Sequence, residues 1–234
     1  MKGPLTADLS GRLSSFVQQA PLERRLILAF VTASARSLPP GTRVLDAGAG
    51  DAPYRELFAH CDYTTSDWAG SVHASAAGAD IIASLDHLPV QDGSFQAIVS
   101  TQVLEHVADP DRVVAEMHRV LGPGGRLFMT APMVGELHEE PFDFYRFTNH
   151  GLRHVLGRAG FADVEVAPLS GYFTTLAQLL RQGGAAMGVP AQGELGRRAV
   201  AAGLRTVARG LPRLDALDRR RALPLGWRVR ARRP

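Results

Sequence analysis

Cysteine is almost missing from this chain. Cys61 is the only one among 234 residues, so no disulfide can form within the chain, and a reducing compartment suits it. Lysine is as scarce, Lys2 being the only one, so arginine carries the basic charge. No apolar run approaches the ~20 residues of a membrane span, and the first residues lack the basic-then-apolar pattern of a secretion signal. These absences argue against a disulfide-stapled secreted scaffold and against a membrane-spanning chain. With 45% hydrophobic residues and a mean hydropathy of −0.04, the chain reads as one cytoplasmic globular domain with a substantial core.

Acid is scarce at one end only. Residues 1–195 carry 21 acidic and 14 basic side chains, whereas residues 196–234 carry 12 arginines against Asp215 and Asp218. The net charge of +3 therefore hides an acidic body and a strongly basic end.

What is present is organised around RVLDAGAGDAPYRELF, residues 43–58. Arg43–Gly48 reads as a short buried strand after the Pro39-Pro40-Gly41 turn, and it runs into a Gly-rich turn. Gly48 and Gly50 can take backbone angles closed to other residues and leave room for a ligand against the main chain. Asp46, at the end of the strand, offers a carboxylate to an amino or hydroxyl group. Pro53 is placed to start a helix over 53–60. By itself Gly-x-Gly is a weak signal, because the dinucleotide fingerprint wants a third glycine where this chain has Ala52-Pro53.

The following segments alternate. Residues 5–37 read as helical, a lid or a flanking helix, and 62–67 form a second strand ending in Asp67, followed by Trp68. An acid about 20 residues past the Gly loop is placed for ribose hydroxyls, and an indole beside it can cover an adenine face. Strands are expected over 79–84, 95–101, 126–131 and 161–166. Helices are expected from the Asp109 cap with Pro110 and from the Thr148 cap, closing at Gly122 and Gly160. Such alternation implies an α/β fold, doubly wound and Rossmann-like, with ligands at the carboxyl ends of the strands.

VLDAGAG, Asp67, LPVQDGSF, STQVLEHV and LGPGGRLFMTAP stand in an order and spacing that, over residues 40–168, resemble the class I S-adenosylmethionine-dependent methyltransferases. The likeness is strongest to the group of ubiquinone-type and small-molecule enzymes, and HEEPFDFYRFTNHGLRHVLGRAGF adds a subgroup pattern. This resemblance implies a seven-stranded sheet whose last strand, over 226–232, is antiparallel. It divides the chain into an N-terminal helical lid (1–38), a cofactor-binding core (39–170), a helical insertion (171–222) and the final strand (223–234). The implied cofactor is S-adenosylmethionine. Gly48 and Gly50 would line its methionine part, Asp46 its amino group and Asp67 its ribose, with Trp68 beside the adenine. Ser84 and Leu85 would take the adenine edge, and Thr101 and Gln102 would lie beneath the sulfonium. Ser84 stands where the family often has an acid, a contact that Asp86 can supply instead, and Gln96 stands at another such acid position.

Methyl transfer from a sulfonium needs alignment, and a hydroxyl acceptor also needs a base. The candidates lie in the loop over 133–148 and after the fourth strand. His138 is the first choice as the side chain titrating nearest neutrality, with an ordering role in the loop as the alternative. Asp143, Tyr145 and His106 follow; Asp143 and Tyr145 also suit a local network with Arg146. No metal site is expected, because His138, Glu139 and Glu140 have no second ligand cluster at suitable spacing. In the basic end, residues 195–211 read as a helix with Val200, Leu204, Val207 and Leu211 on one face and Arg198, Arg205 and Arg209 opposite. It would pack on the domain or touch an anionic lipid surface. The acidic core and the lack of a binding module argue against nucleic acid. The expected activity is methyl transfer to a small-molecule hydroxyl on a sugar, glycan precursor or specialised metabolite. The alternatives are a lipid-linked or membrane-associated acceptor and a non-catalytic ligand-binding protein on the same fold.

Overall fold

A computed structural model describes residues 22–73, 78–186 and 195–234, with the side chains of 184–186 and 195–199 outside the description. One seven-stranded sheet runs through it. In chain order the strands are β1 (Arg43–Ala47), β2 (Asp62–Asp67), β3 (Ile81–Ile82), β4 (Phe95–Thr101), β5 (Leu121–Pro132), β6 (Ala162–Pro168) and β7 (Gly226–Arg232). Their spatial order is β3-β2-β1-β4-β5-β7-β6. Strands β1 to β5 pair in parallel, and β7 lies antiparallel between β5 and β6, at the residues expected from sequence. The helices are α1 (Glu23–Arg36), α2 (Pro110–Val120), α3 (Asn149–Arg158), α4 (Tyr172–Ala186) and α5 (Leu195–Gly210).

The period of two along the central strands decides which helix goes where. Val44, Ala97, Val99 and Phe128 point to one face and meet Ile27, Leu28, Phe30 and Val31 of α1. Leu45, Ala47, Ile98, Leu127 and Met129 point to the other and meet α2 through Val113, Val114 and Met117 and α3 through Leu152 and Leu156. A strand buried on both faces must be apolar throughout, as 95–101 nearly is. Asp109 caps α2 by accepting from the Arg112 N–H at 3.1 Å, and Thr148 caps α3 through the Gly151 N–H at 3.0 Å. The Trp227 indole N–H on β7 donates to the Phe147 carbonyl at 2.8 Å, pinning the loop that enters α3.

Three elements differ from expectation. The helix expected over 53–60 is a short 3₁₀ segment, Arg55–Phe58, flanked by turns whose N–H groups bond three residues back, as from Ala52 to Ala49 and Cys61 to Phe58. The segment must bury Tyr54 and Phe58 and then return to β2, which leaves no length for a full helix. Strand β3 shrinks to two residues because the Asp80 carboxylate takes the Thr65 N–H and hydroxyl at 2.8 and 2.7 Å, replacing a ladder bond with a side-chain one. Helix α1 packs on the sheet as a flanking helix. Residues 1–21, including Leu13, Phe16 and Val17, lie outside the described residues. On α5 the buried positions are Ala201 and Ala208, while Val200 and Val207 face solvent, 52% and 56% exposed, with Arg205 and Arg209 also exposed. Small side chains let α5 approach α4 closely, so packing overrides the larger apolar residues. The Arg198 side chain is outside the description.

The Gln96 amide oxygen accepts from the Arg43 N–H at 2.7 Å, tying the starts of β1 and β4. Gly226 lies so close to β5 that a Cβ there would stand 2.6 Å from the Ala131 carbonyl oxygen. Gly226→Ala should therefore lower unfolding stability by about 1–3 kcal/mol in urea titration, with the far-ultraviolet spectrum retained.

Candidate functional site

The carboxyl ends of β1, β2 and β4 converge on the Gly loop. Gly48 and Gly50 have φ of +78° and +52°, left-handed angles that glycine takes without strain. Gly48 and Ala49 donate to the Ser66 carbonyl at 2.9 and 3.0 Å, and Gly50 N–H donates to the Asp67 carboxylate at 2.7 Å. The other Asp67 oxygen accepts from Trp68 N–H at 2.8 Å. Ser100 Oγ on β4 holds the Ala47 carbonyl at 2.8 Å. The loop is thus stitched to both neighbouring strands before any ligand binds. A Cβ on Gly48 would stand 2.5 Å from a Val103 methyl, so the loop lies directly against the turn after β4.

Asp46 is buried and accepts a short hydrogen bond from the Tyr63 hydroxyl. Burial pushes its carboxyl up to about 7; the Tyr63 bond opposes that shift and the Asp67 charge adds to it. Its side chain is therefore engaged within the fold rather than open to the crevice. Trp68 is exposed and meets Phe142 edge-on at 5.1 Å between centroids. Ser84 is exposed, Leu85 buried and Asp86 half-buried. Gln102, at φ +54°, donates from its backbone and its amide to Thr130, and Thr101 ends β4 beside it.

The loop after β5 folds back over the turn after β4. Phe144 and Tyr145 donate their N–H groups to the Glu105 carbonyl at 2.9 and 3.2 Å. Arg146 makes a bidentate pair with Asp143 at 2.6 and 2.8 Å, which holds that carboxyl well below the usual range. Asp143 also accepts from the His138 N–H at 3.0 Å, and Tyr145 donates its hydroxyl to the Ala108 carbonyl at 3.0 Å. His138 and His106 meet edge to face with centroids 4.7 Å apart. Of the four catalytic candidates, the fold brings His138 and His106 together. Asp143 and Tyr145 are taken up by the network that shapes the loop, the other reading their sequence allowed.

Four contributors were given no site role from the sequence. Glu105 is fully buried, and neither carboxyl oxygen hydrogen-bonds another residue; burial pushes it up to about 8. The His106 Nε2 lies 3.9 Å from it. Glu139 lies 4.0 Å from the same His106 nitrogen and 3.6 Å from His73 Nε2. His73 stands beside Gly50 and so links the Gly loop to the histidine pair. Glu23, at the start of α1, is half-buried near the same charges, its carboxyl raised by desolvation and opposed by His138, Arg24 and Arg146. An acid inside an apolar LEH turn is a signal that was available; Glu23 and His73 carry no local pattern.

Residues 45–129 match the methyltransferase domain family. The ubiquinone biosynthesis O-methyltransferase of Xanthomonas axonopodis pv. citri is 34% identical over 109 residues, 42% of this chain and 46% of that protein. The malonyl-[acyl-carrier protein] O-methyltransferase of Geobacter sulfurreducens is 31% identical over 179 residues, 64% of this chain and 65% of that one. The chain thus spans about half to two thirds of these two relatives. Among solved structures, Haemonchus contortus phosphoethanolamine N-methyltransferase 2 with S-adenosylhomocysteine superposes with a TM-score of 0.53 at 18% identity, covering 84% of this chain and 50% of that one. The [4+2]-cyclase SpnF gives 0.58 at 23% identity, covering 93% and 82%. Residues 45–129 thus carry a methyltransferase domain, and the sheet order and the Gly loop are those of the Rossmann-like class I S-adenosylmethionine-dependent methyltransferase fold.

The cofactor of that class suits the residues present. The Gly loop keeps side chains away from the main chain, the acidic end of β2 faces it, and an exposed indole stands beside that acid. This donor set complements a ribose diol, an adenine face and a cationic sulfonium.

Asp46 also sets a pH dependence. Its folded pKa is raised, so the folded state holds a proton that the unfolded chain releases above about 4. Stability from this group is complete below that pH and declines as pH rises to about 7, beyond which it is flat. Urea titrations between pH 4 and 8 should show wild type losing stability relative to Asp46→Asn across that window, and not above it.

Proposed function

We propose that this protein transfers a methyl group from S-adenosylmethionine to a hydroxyl on a small molecule, a sugar, glycan precursor or specialised metabolite, in a reducing, cytoplasmic setting. One observation carries the reading: the Gly48–Gly50 crevice and the Glu105–His106–His138 cluster lie at the same carboxyl end of the sheet, linked by Val103 against Gly48 and by His73, which stands between Gly50 and Glu139.

The cofactor, when bound, supplies a methyl carbon already activated by a positively charged sulfur. Asp67 keeps the loop open through Gly50 and has lone pairs left for ribose hydroxyls. Trp68 and Phe142 flank that end, and Gln102, set by Thr130, borders the methionine side. The acceptor enters beneath the loop shaped by Asp143, Arg146 and Tyr145, with its hydroxyl toward His106 and His138. Proton removal takes place there, at His138, the more exposed imidazole. Alignment supplies most of the acceleration, and the base contributes roughly 10²-fold or more.

A second reading, an acceptor with an apolar or lipid-linked body, is favoured by the exposed Leu137, Phe142, Phe144 and Tyr145 around the cluster and by Val200 and Val207 beside Arg205 and Arg209. Co-sedimentation with anionic vesicles that is lost in Arg205→Ala/Arg209→Ala would support it. A ligand-binding protein without transfer, the remaining alternative, would bind S-adenosylmethionine and transfer nothing to any acceptor screened.

Asp67→Ala should weaken S-adenosylhomocysteine binding by about 1–3 kcal/mol in calorimetry, the cost of leaving polar groups unpaired; unchanged affinity removes Asp67 from the ribose role. With an acceptor in hand, His138→Ala should lower kcat roughly 10²-fold or more while leaving cofactor affinity alone, and unaltered turnover would return the role to His106.

A further inference from the structure

The geometry points to a divalent transition-metal site of the zinc class formed by Glu105, His106 and His138. Ligand atoms of these three side chains lie within 4.8 Å of one another, the span in which one ion can reach all of them. Sequence spacing hid this set, because its members come from two loops that only the fold brings together.

Three independent features favour an ion over a chance cluster. The Glu105 carboxyl is fully buried, and both its oxygens lack a hydrogen-bond partner, a costly arrangement unless a cation supplies the missing interaction. A backbone carbonyl stands against each imidazole. His106 Nδ1 is 2.9 Å from the Phe142 carbonyl, an acceptor that favours a proton there and leaves the Nε2 lone pair free, and His138 Nδ1 is 3.1 Å from the Glu136 carbonyl. A ligating histidine commonly fixes its tautomer through such a backbone bond. On the His138 side, Asp143 Oδ2 at 3.5 Å and Arg146 Nη2 at 3.4 Å flank the same nitrogen, and the Asp143–Arg146 pair neutralises itself. Finally, Glu139 lies 4.0 Å from His106 Nε2, adding negative charge at the rim.

Two imidazoles and one carboxylate are borderline ligands that suit Zn²⁺ or a neighbouring first-row ion better than Mg²⁺, and a three-ligand site keeps positions open. This deepens the methyl-transfer reading and rests on it. An acceptor hydroxyl bound at an open position would lose its proton to water at a lowered pKa. Its oxygen lone pair then forms the O–CH₃ bond as the S–CH₃ bond breaks, the electron pair staying on sulfur to give neutral S-adenosylhomocysteine. His138 would then act as a ligand in place of a free base.

The test uses the full chain, stripped with chelator and titrated with Zn²⁺ against a chromophoric competitor. One equivalent should bind at micromolar Kd or tighter. His106→Ala, His138→Ala and Glu105→Gln should each weaken it roughly tenfold or more, a loss on the scale known for disturbed metal sites. His154→Ala, on the exposed face of α3, should bind as wild type. His138 is exposed enough for its variant to fold even where Glu105→Gln does not. No stoichiometric zinc, or equal loss in His154→Ala, would overturn the site. S-adenosylhomocysteine affinity in the same samples reads the methyl-transfer proposal separately: cofactor binding without zinc rejects only the metal, and zinc without cofactor rejects only the cofactor reading.

Discussion

The Asp67 carboxylate spans two strands, accepting the Gly50 N–H at 2.7 Å from the loop after β1 while it sits at the end of β2. Together with the two N–H groups that converge on the Ser66 carbonyl, this bond holds a left-handed glycine turn in place without side-chain bulk. Everything that makes the crevice follows from that stitch. The turn can lie against Val103 only because Gly48 lacks a Cβ, and the contact fixes how the turn after β4 presents Glu105 and His106. A side chain at Gly48 would therefore disturb both halves of the site at once.

The second half depends on charge rather than close packing. Asp143 and Arg146 neutralise each other within one loop, and their pairing leaves the His138 ring to face His106. Around them Glu23, Glu105 and Glu139 gather on three separate elements. Burial raises Glu23 and Glu105, while Glu139 is held below its usual range by the His73 imidazole 3.6 Å away. Buried acid without partners is expensive, and a cationic sulfonium nearby or a metal ion within the cluster would relieve it.

Much of the architecture was legible because strand periodicity and caps are local. The Asp109-Pro110 and Thr148 starts and the strand over 226–232 needed only neighbouring residues to be read. The losses are tertiary. Asp80 displaces a ladder bond to shorten β3, burial of Tyr54 and Phe58 compresses a helix into a 3₁₀ turn, and small residues win the packed face of α5. The Gly loop could be found as a motif, but Asp46 turned inward toward Tyr63, a partner no spacing rule names. The Glu105–His106–His138 grouping was invisible for the same reason, since two loops meet only after β4 and β5 are paired.

The most direct measurement of the central claim is a calorimetric titration of the wild-type protein with S-adenosylmethionine and, separately, S-adenosylhomocysteine. Micromolar binding of both at one site per chain is the predicted result. Binding of neither, by a protein shown to be folded, would contradict the assignment of the Gly48–Gly50 crevice to this cofactor.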